Sequence, residues 1–407
     1  MDNNAPAPPY TEVNQHGVFP RPLHDEAARY NFLSNFNRFM AQTLGPGNAL
    51  SYENRVLPKF VKEHGREPAN RHEVRRAMNA DPFHRAWSAL RRNSMEIRQQ
   101  NGRAIVLRQH AELAARIAAH NDGAPSLALD SAIATPRYQD AVDIHCMPGS
   151  YHGEECPGDF SAGANYDSGI FATTAGGIGA LSDGAGQAIV AWIKRTRPEW
   201  KPRRVLEIGT TIGHNIVPLA LAYPDTEIIA IDTAAPVLRY GHARAKELGA
   251  HNIRFIQANG EDLSRWDDGS FDWVQTTMFL HETSRTALPR ILAEGYRVLA
   301  PDGLMLHLEQ PPFKPTMPVY EQFIRDWDSF NNNEPFWSTV HSLDLPGMMR
   351  EAGFAPEELF EDHVKAVVDR SIFTATADEG EKEDHGRAAA WHALGGWKQR
   401  AAATPGA

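Results

Sequence analysis

Val205-Leu-Glu-Ile-Gly-Thr-Thr-Ile-Gly-His-Asn215, followed by Ile228-Ile-Ala-Ile-Asp232, decides the fold. An apolar strand runs into a turn punctuated by Gly209 and Gly213. A helical stretch follows, and a second apolar strand ends on an acid. This order places a ligand site at the carboxyl ends of parallel strands. A dinucleotide turn would read G-x-G-x-x-G with no acid in the preceding strand. Here the pattern is E-x-G-x-T-x-G, with the acid at Glu207, which argues against a dinucleotide.

Working outward, short apolar runs recur at 204–208, 227–231, 253–257, 273–277 and 304–308, with helical patterns between them. Such alternation predicts an α/β fold, doubly wound around a mostly parallel sheet. Upstream, apolar residues at helical spacing (Tyr30, Leu33, Phe36, Met40; Trp87, Leu90, Ile97) predict an N-terminal helical domain over 23–121. Asp81-Pro82 reads as an N-cap followed by Pro at the first helical position, and Gly45-Pro-Gly47 and Gly65 read as helix breaks. Residues 1–22 are rich in Pro and Asn and read as disordered or draped. Residues 122–185, rich in Gly, Ser and Asp, read as a connecting and cofactor-covering segment. The core is expected over 186–377, with an aromatic insertion at 311–341 as a lid. The tail, 378–407, is expected to hold a short helix around Trp391 and Trp397 and to fray at its end.

Composition narrows the functional classes. The chain has 407 residues, 42% of them hydrophobic, and two cysteines. Two cysteines make no disulfide framework, and no apolar run reaches the roughly 20 residues of a membrane helix. The start, Met-Asp-Asn-Asn-Ala-Pro, carries no basic and apolar leader. A cytoplasmic protein without membrane association is expected. The formal net charge is -10, yet residues 51–119 hold 14 Lys and Arg against 7 Asp and Glu. The arginines alternate with acids, which reads as solvated helix faces and makes nucleic acid an unfavoured partner.

With these residues in view, 200–310 resembles the class I S-adenosylmethionine-dependent methyltransferases. The nearest likeness is to the small-molecule group that includes ubiquinone- and menaquinone-biosynthesis enzymes. The resemblance implies a Rossmann-like core and S-adenosyl-L-methionine as cofactor. It implies that Glu207 meets the methionine amino group and that Gly209, Thr210, Thr211 and Gly213 line the turn beneath it. Thr211 replaces the middle glycine of the family pattern. Asp232, with Thr233 beside it, corresponds to the acid on the ribose hydroxyls. Asn259 stands where the family carries an Asp for the adenine amino group, with Gly260 offering its N–H. Met278 is a candidate wall of the methyl-donor pocket.

A sulfonium methyl is already activated, so the protein must align the nucleophile and remove its proton where one is present. His281, at the mouth of the site, is the side chain best suited to that near neutral pH, and Glu309 is the second catalytic candidate. His145, Cys146, His152, Glu155 and Cys156 are the one metal-like grouping. Their C-x9-C spacing is not that of a structural zinc site, and no metal is expected. The expected activity is methylation of O, C or N on a small molecule. Two alternatives stand beside it: a nucleic-acid methyltransferase using the basic helices, and a catalytically silent cofactor-binding scaffold. The helical domain is also a candidate homodimer contact.

Overall fold

The structure, a computed structural model, describes residues 9–13, 16–174, 176–367 and 390–399. The expected fraying of 401–407 and most of the charged tail lie outside these residues.

Eight strands form one sheet: β1 (Leu127–Ala128), β2 (Arg204–Ile208), β3 (Glu227–Asp232), β4 (Ile253–Gln257), β5 (Phe271–Thr277), β6 (Leu299–Glu309), β7 (Leu359–Lys365) and β8 (Ala390–Trp397). Their order is β1-β4-β3-β2-β5-β6-β8-β7. Neighbours from β1 to β6 pair in parallel, and β8 runs antiparallel to both β6 and β7. The chain order reverses between β2 and β5, so the switch point where a ligand settles lies above those two strands. Glu207, Asp232, Gln257, Thr277 and Glu309 all stand at that edge.

Alternation along the strands explains the two layers. Val205, Ile228 and Trp273 pack on one face, with Ile189, Trp192 and Leu238. Leu206, Ile229 and Val274 pack on the other, with Leu288, Ile291 and Leu292. A sheet buried on both faces needs apolar residues at consecutive positions, and 228–231 supplies them.

Two expectations need correction. Trp391 and Trp397 lie in β8, a strand, not in a helix. Ala and Leu favour helix locally, but here pairing on both sides and burial of all but the last residue, Trp397, override that preference. Gly395 also leaves no room for a side chain, since a Cβ there would lie 2.4 Å from the Phe360 ring. Second, Gly45-Pro-Gly47 does not break the helix. The helical path runs on from His24 to His64 through two wider turns, Met40–Leu44 and Tyr52–Val56. Each wide turn directly precedes a segment with Pro at its second position. Widening relieves the clash of the ring with the preceding carbonyl. Gly65, at φ 69°, does end the run, with its N–H on the Val61 carbonyl.

The helix Pro82–Arg108 starts as its sequence predicts, with Asp81 Oδ1 accepting from the N–H of Phe83 and His84. Together with His24–Phe39 it packs on the helix Ser161–Thr174, which in turn packs on Ala235–Glu247 behind β3. The helical region thereby stands over the strand edge.

Candidate active site

A cavity of about 570 Å³ opens at the carboxyl ends of β2, β3, β5 and β6. Its floor is the turn after β2. Gly209 and Gly213 have φ of 75° and 71°, and Thr211, between them, has 52°. The left-handed region is free for glycine and strained for threonine. A Cβ on Gly209 would lie 2.1 Å from the Phe279 ring. The turn is held by Asp232, whose Oδ2 accepts the Thr211 N–H at 2.9 Å and whose Oδ1 accepts that of Ala234 at 3.0 Å. Burial raises the Asp232 carboxyl above its ordinary range, against those N–H bonds. A carboxylate has about four acceptor positions, so Asp232 retains capacity toward the cavity.

Glu207 accepts from Thr210 Oγ1 at 2.6 Å and Gln275 Nε2 at 3.2 Å. Burial pushes its carboxyl up to about 7. A cation arriving beside it would stabilise the charged form. Glu207, Gly209, Thr210, Thr211, Asp232 and Met278 line the cavity together. Met278 has φ 52°, its N–H bonds the Leu308 carbonyl, and Gln310 Nε2 lies 3.6 Å from its sulfur.

Gly213, Thr233, Asn259 and Gly260 stand just outside. Gly213 gives room to the Phe255 ring beneath the turn. Thr233 donates to Gln139 Oε1 at 2.8 Å, so Gln139 roofs this end. Asn259 Oδ1 accepts the N–H of Glu261, and Gly260 lies close against Ile208.

On the far side, His281 and Glu309 meet. His281 Nδ1 lies 2.6 Å from Glu309 Oε1, while Glu309 Oε2 accepts the Leu280 N–H at 2.7 Å. His281 Nε2 stands 4.0 Å from both Glu282 Oε1 and Glu334 Oε2. Burial lowers the imidazole's proton affinity, but Glu309, then Glu282 and Glu334, outweigh it and raise the pKa to about 9. Burial pushes Glu309 up, and the His281 charge reverses this and holds it low. His145 bridges Glu334 at 2.9 Å and Glu282 at 3.3 Å, and against burial those two acids raise its pKa to about 10. Tyr151 donates to Glu282 at 3.3 Å. Burial raises the Glu334 carboxyl, and its Oε2 has no hydrogen-bond partner.

Sequence reasoning did not single out Glu334 and Tyr151, and assigned Glu282 no role of its own. Glu334 comes from the 311–341 insertion, Tyr151 and His145 from the connecting segment, so no local spacing links them. The insertion divides its aromatics. Trp337 and His341 line the cavity, while Phe323 and Trp327 pack on the helices, Phe323 5.2 Å from His84 and Trp327 5.7 Å from Trp87.

The metal-like grouping is dispersed. His145 faces the acids above, Cys146 lies 3.8 Å from Asn332 Oδ1, and His152 pairs with Asp140. Cys156 instead approaches His110 and Asp159, at 4.0 Å from His110 Nε2. The basic region is also largely engaged: Arg71 and Arg75 pair with Asp326, Arg91 with Asp328 and Arg108 with Glu26.

Residues 205–303 match a family described as a methyltransferase domain. Demethylmenaquinone methyltransferase of Thermus thermophilus is 33% identical over 114 residues, covering 28% of this chain and 50% of the relative. A malonyl-acyl-carrier-protein O-methyltransferase of Methylococcus capsulatus is 32% identical over 127 residues, covering 31% and 44%. The chain thus spans about half the length of these curated relatives. Among solved structures, phosphoethanolamine N-methyltransferase 2 of Haemonchus contortus aligns over 58% of each chain at 16% identity and a TM-score of 0.40.

Proposed function

We propose that this chain, which carries a class I S-adenosylmethionine-dependent methyltransferase domain at residues 205–303, methylates a small-molecule acceptor in the cavity above that domain. One observation carries the proposal. Glu207 and Asp232, at the ends of adjacent strands, flank a left-handed turn in the same cavity that His281, Glu282 and Glu334 close from the other side.

The residues fit the cofactor's chemistry. Glu207 suits an ammonium group, Asp232 a pair of ribose hydroxyls, and Gly209 lets the turn between them pass close under the Phe279 ring. Asn259 and Gly260 are assigned to the adenine end, which Gln139 covers. Bound S-adenosylmethionine supplies an activated methyl cation equivalent, and the protein's task is to present a nucleophile to it.

For an acceptor with an ionisable proton, we assign the roles as follows. The His281 pKa of about 9 leaves the imidazole charged at neutral pH. It therefore holds the ionised acceptor oxygen, and Glu309 fixes the ring's orientation. The unpartnered Glu334 Oε2 takes the proton. This revises the neutral-base role that sequence suggests for His281, because three acids surround it.

The division into a core, a helical domain and a covering segment belongs to the same proposal. So do a cytoplasmic location, in keeping with two free cysteines, and subunit pairing through Phe32, Phe39 and Leu50, exposed on the helical region. Among the described residues no helix is long and apolar enough to cross a membrane. The proposal is tested by incubating the protein with methyl-labelled cofactor and, in parallel, fractionated small-molecule extracts and purified RNA and DNA. Label transferred to a small molecule supports it. Label appearing only in nucleic acid would replace it with the nucleic-acid alternative.

A further inference from the structure

The helix Pro82–Arg108 presents Arg91, Ser94, Met95 and Arg98 to the cavity, one face at helical spacing. Arg91 pairs with Asp328 at 3.1 Å, and Arg325, also lining the cavity, pairs with Glu321 at 2.9 Å. Arg98 differs from both. It is only 6% exposed, and one guanidinium nitrogen donates to Thr173 Oγ1 at 2.9 Å. Its Nε and its other terminal nitrogen are buried without a hydrogen-bond partner among the described residues.

Burial disfavours the Arg98 charge, and the titratable groups that oppose this are the phenols of Tyr30, Tyr166 and Tyr151 and the Cys146 thiol. All are held neutral at ordinary pH, the thiol by burial that pushes it up to about 11. Gly169 makes space for the side chain, since a Cβ there would lie 2.5 Å from Nε. A guanidinium so buried, with no carboxylate pairing with it among the described residues, carries a large desolvation cost. An anion with two acceptor oxygens is the complement of its fork.

The position of Arg98 favours the acceptor over the cofactor as the source of that anion. Tyr166 stands beside His214 of the cofactor turn, with rings 5.6 Å apart. Arg98 lies against Gly169 and Thr173, three and seven residues further along the same helix, about 5 and 10 Å by helical rise. Met40, Trp87, Met95 and Ile170 line the same cavity among Asn37, Ser94 and Thr173, all contributed by helices outside the methyltransferase domain.

We infer that Arg98 is the anion-recognising, specificity-determining residue of the acceptor site, so that the acceptor is a small molecule bearing a carboxylate or phosphate on an otherwise apolar body. The inference rests on the proposed methyltransferase reading.

The test uses the full chain saturated with S-adenosylhomocysteine and three probes, benzoate, phenyl phosphate and the uncharged benzamide, titrated by calorimetry. At least one anion should bind about tenfold or more tightly than benzamide, the scale of a charge-assisted pair. The tighter anion identifies the group. Arg98→Met should abolish that preference and change S-adenosylhomocysteine affinity by less than about twofold, while Arg98→Lys retains part of it. The ligand-free Arg98→Met protein should melt at or above the wild-type temperature, because an uncompensated buried charge has gone.

No preference for either anion in the wild-type protein, whether or not the probes bind, overturns the inference. So does a loss of S-adenosylhomocysteine affinity in Arg98→Met, which would give the arginine to the cofactor's carboxylate. A lowered melting temperature would make it structural. If the wild-type protein fails to bind S-adenosylhomocysteine, the methyltransferase reading fails. The same probes on the ligand-free chain then decide the anion site by itself.

Discussion

The domain at 205–303 and the helices at 24–121 meet in one cavity, yet they build their share of it by opposite means. The domain uses backbone: a left-handed turn, strand ends in register, and two acids whose places follow from the strands that carry them. The helices use side chains alone, and what Arg98 or Trp87 touches depends on distant elements, those carrying Thr173 for the one and Trp327 for the other. Chemistry common to many enzymes can be written in a local turn. Chemistry particular to one acceptor is assembled from distant parts.

Separating the two regions should have the largest effect. Tyr30, Leu33 and Ile105 are fully buried and pack with Phe171 and Ala172. A chain truncated to begin at residue 122 would expose that surface and open the cavity. It should aggregate or lose all methyl transfer. A soluble, fully active truncated protein would show that the helices add nothing to the site.

Next in size is His281. His281→Ala should lower turnover by about 10²–10³-fold, the scale of losing one donor to a developing oxyanion, with cofactor affinity nearly unchanged. The pH profile sharpens its role. An imidazolium holding an oxyanion predicts a rate that falls as pH rises through about 9. A rate that climbs through the same pH would restore the neutral base.

These predictions follow the boundary between what was and was not legible in the sequence. The strands, the switch-point site and the acids Glu207 and Asp232 could be read, because period, turn residues and strand ends are local properties. His281 and Glu309 were legible as candidates from their places after β5 and β6. Their shared hydrogen bond was not, since 28 residues separate them. Glu334 gave no signal: a single acid in an aromatic insertion acquires meaning only when His145 and His281 fold against it. Trp391 and Trp397 misled for a related reason. The pairing of β8 with β6 and β7 overrides the helical preference of an Ala-rich stretch.

On the domain side, Asp232→Ala should weaken cofactor binding by about 1.5–3 kcal/mol, the scale of hydrogen bonds to a charged group. The variant should stay folded, although Thr211 and Ala234 lose their acceptor. Unchanged affinity in a folded variant would remove Asp232 from the ribose.

Stability is affected as well. His145 and His281 hold protons more tightly when folded, with pKa values of about 10 and 9 against an ordinary 6.5. Their contribution is complete below pH 6.5 and is lost as pH rises to 9–10. Denaturation midpoints should therefore decline across that window, and His145→Gln should flatten the decline. A midpoint that is level or rising would contradict the ion-paired arrangement.

The central claim, that the turn and its two acids form a site for S-adenosylmethionine, is tested most directly by calorimetric titration of the full chain with S-adenosylmethionine, S-adenosylhomocysteine and NAD. The account predicts micromolar binding of the first two and far weaker binding of NAD, because Glu207 stands where a dinucleotide turn carries no acid. Preferential binding of NAD, or no binding of either adenosyl ligand, would contradict it.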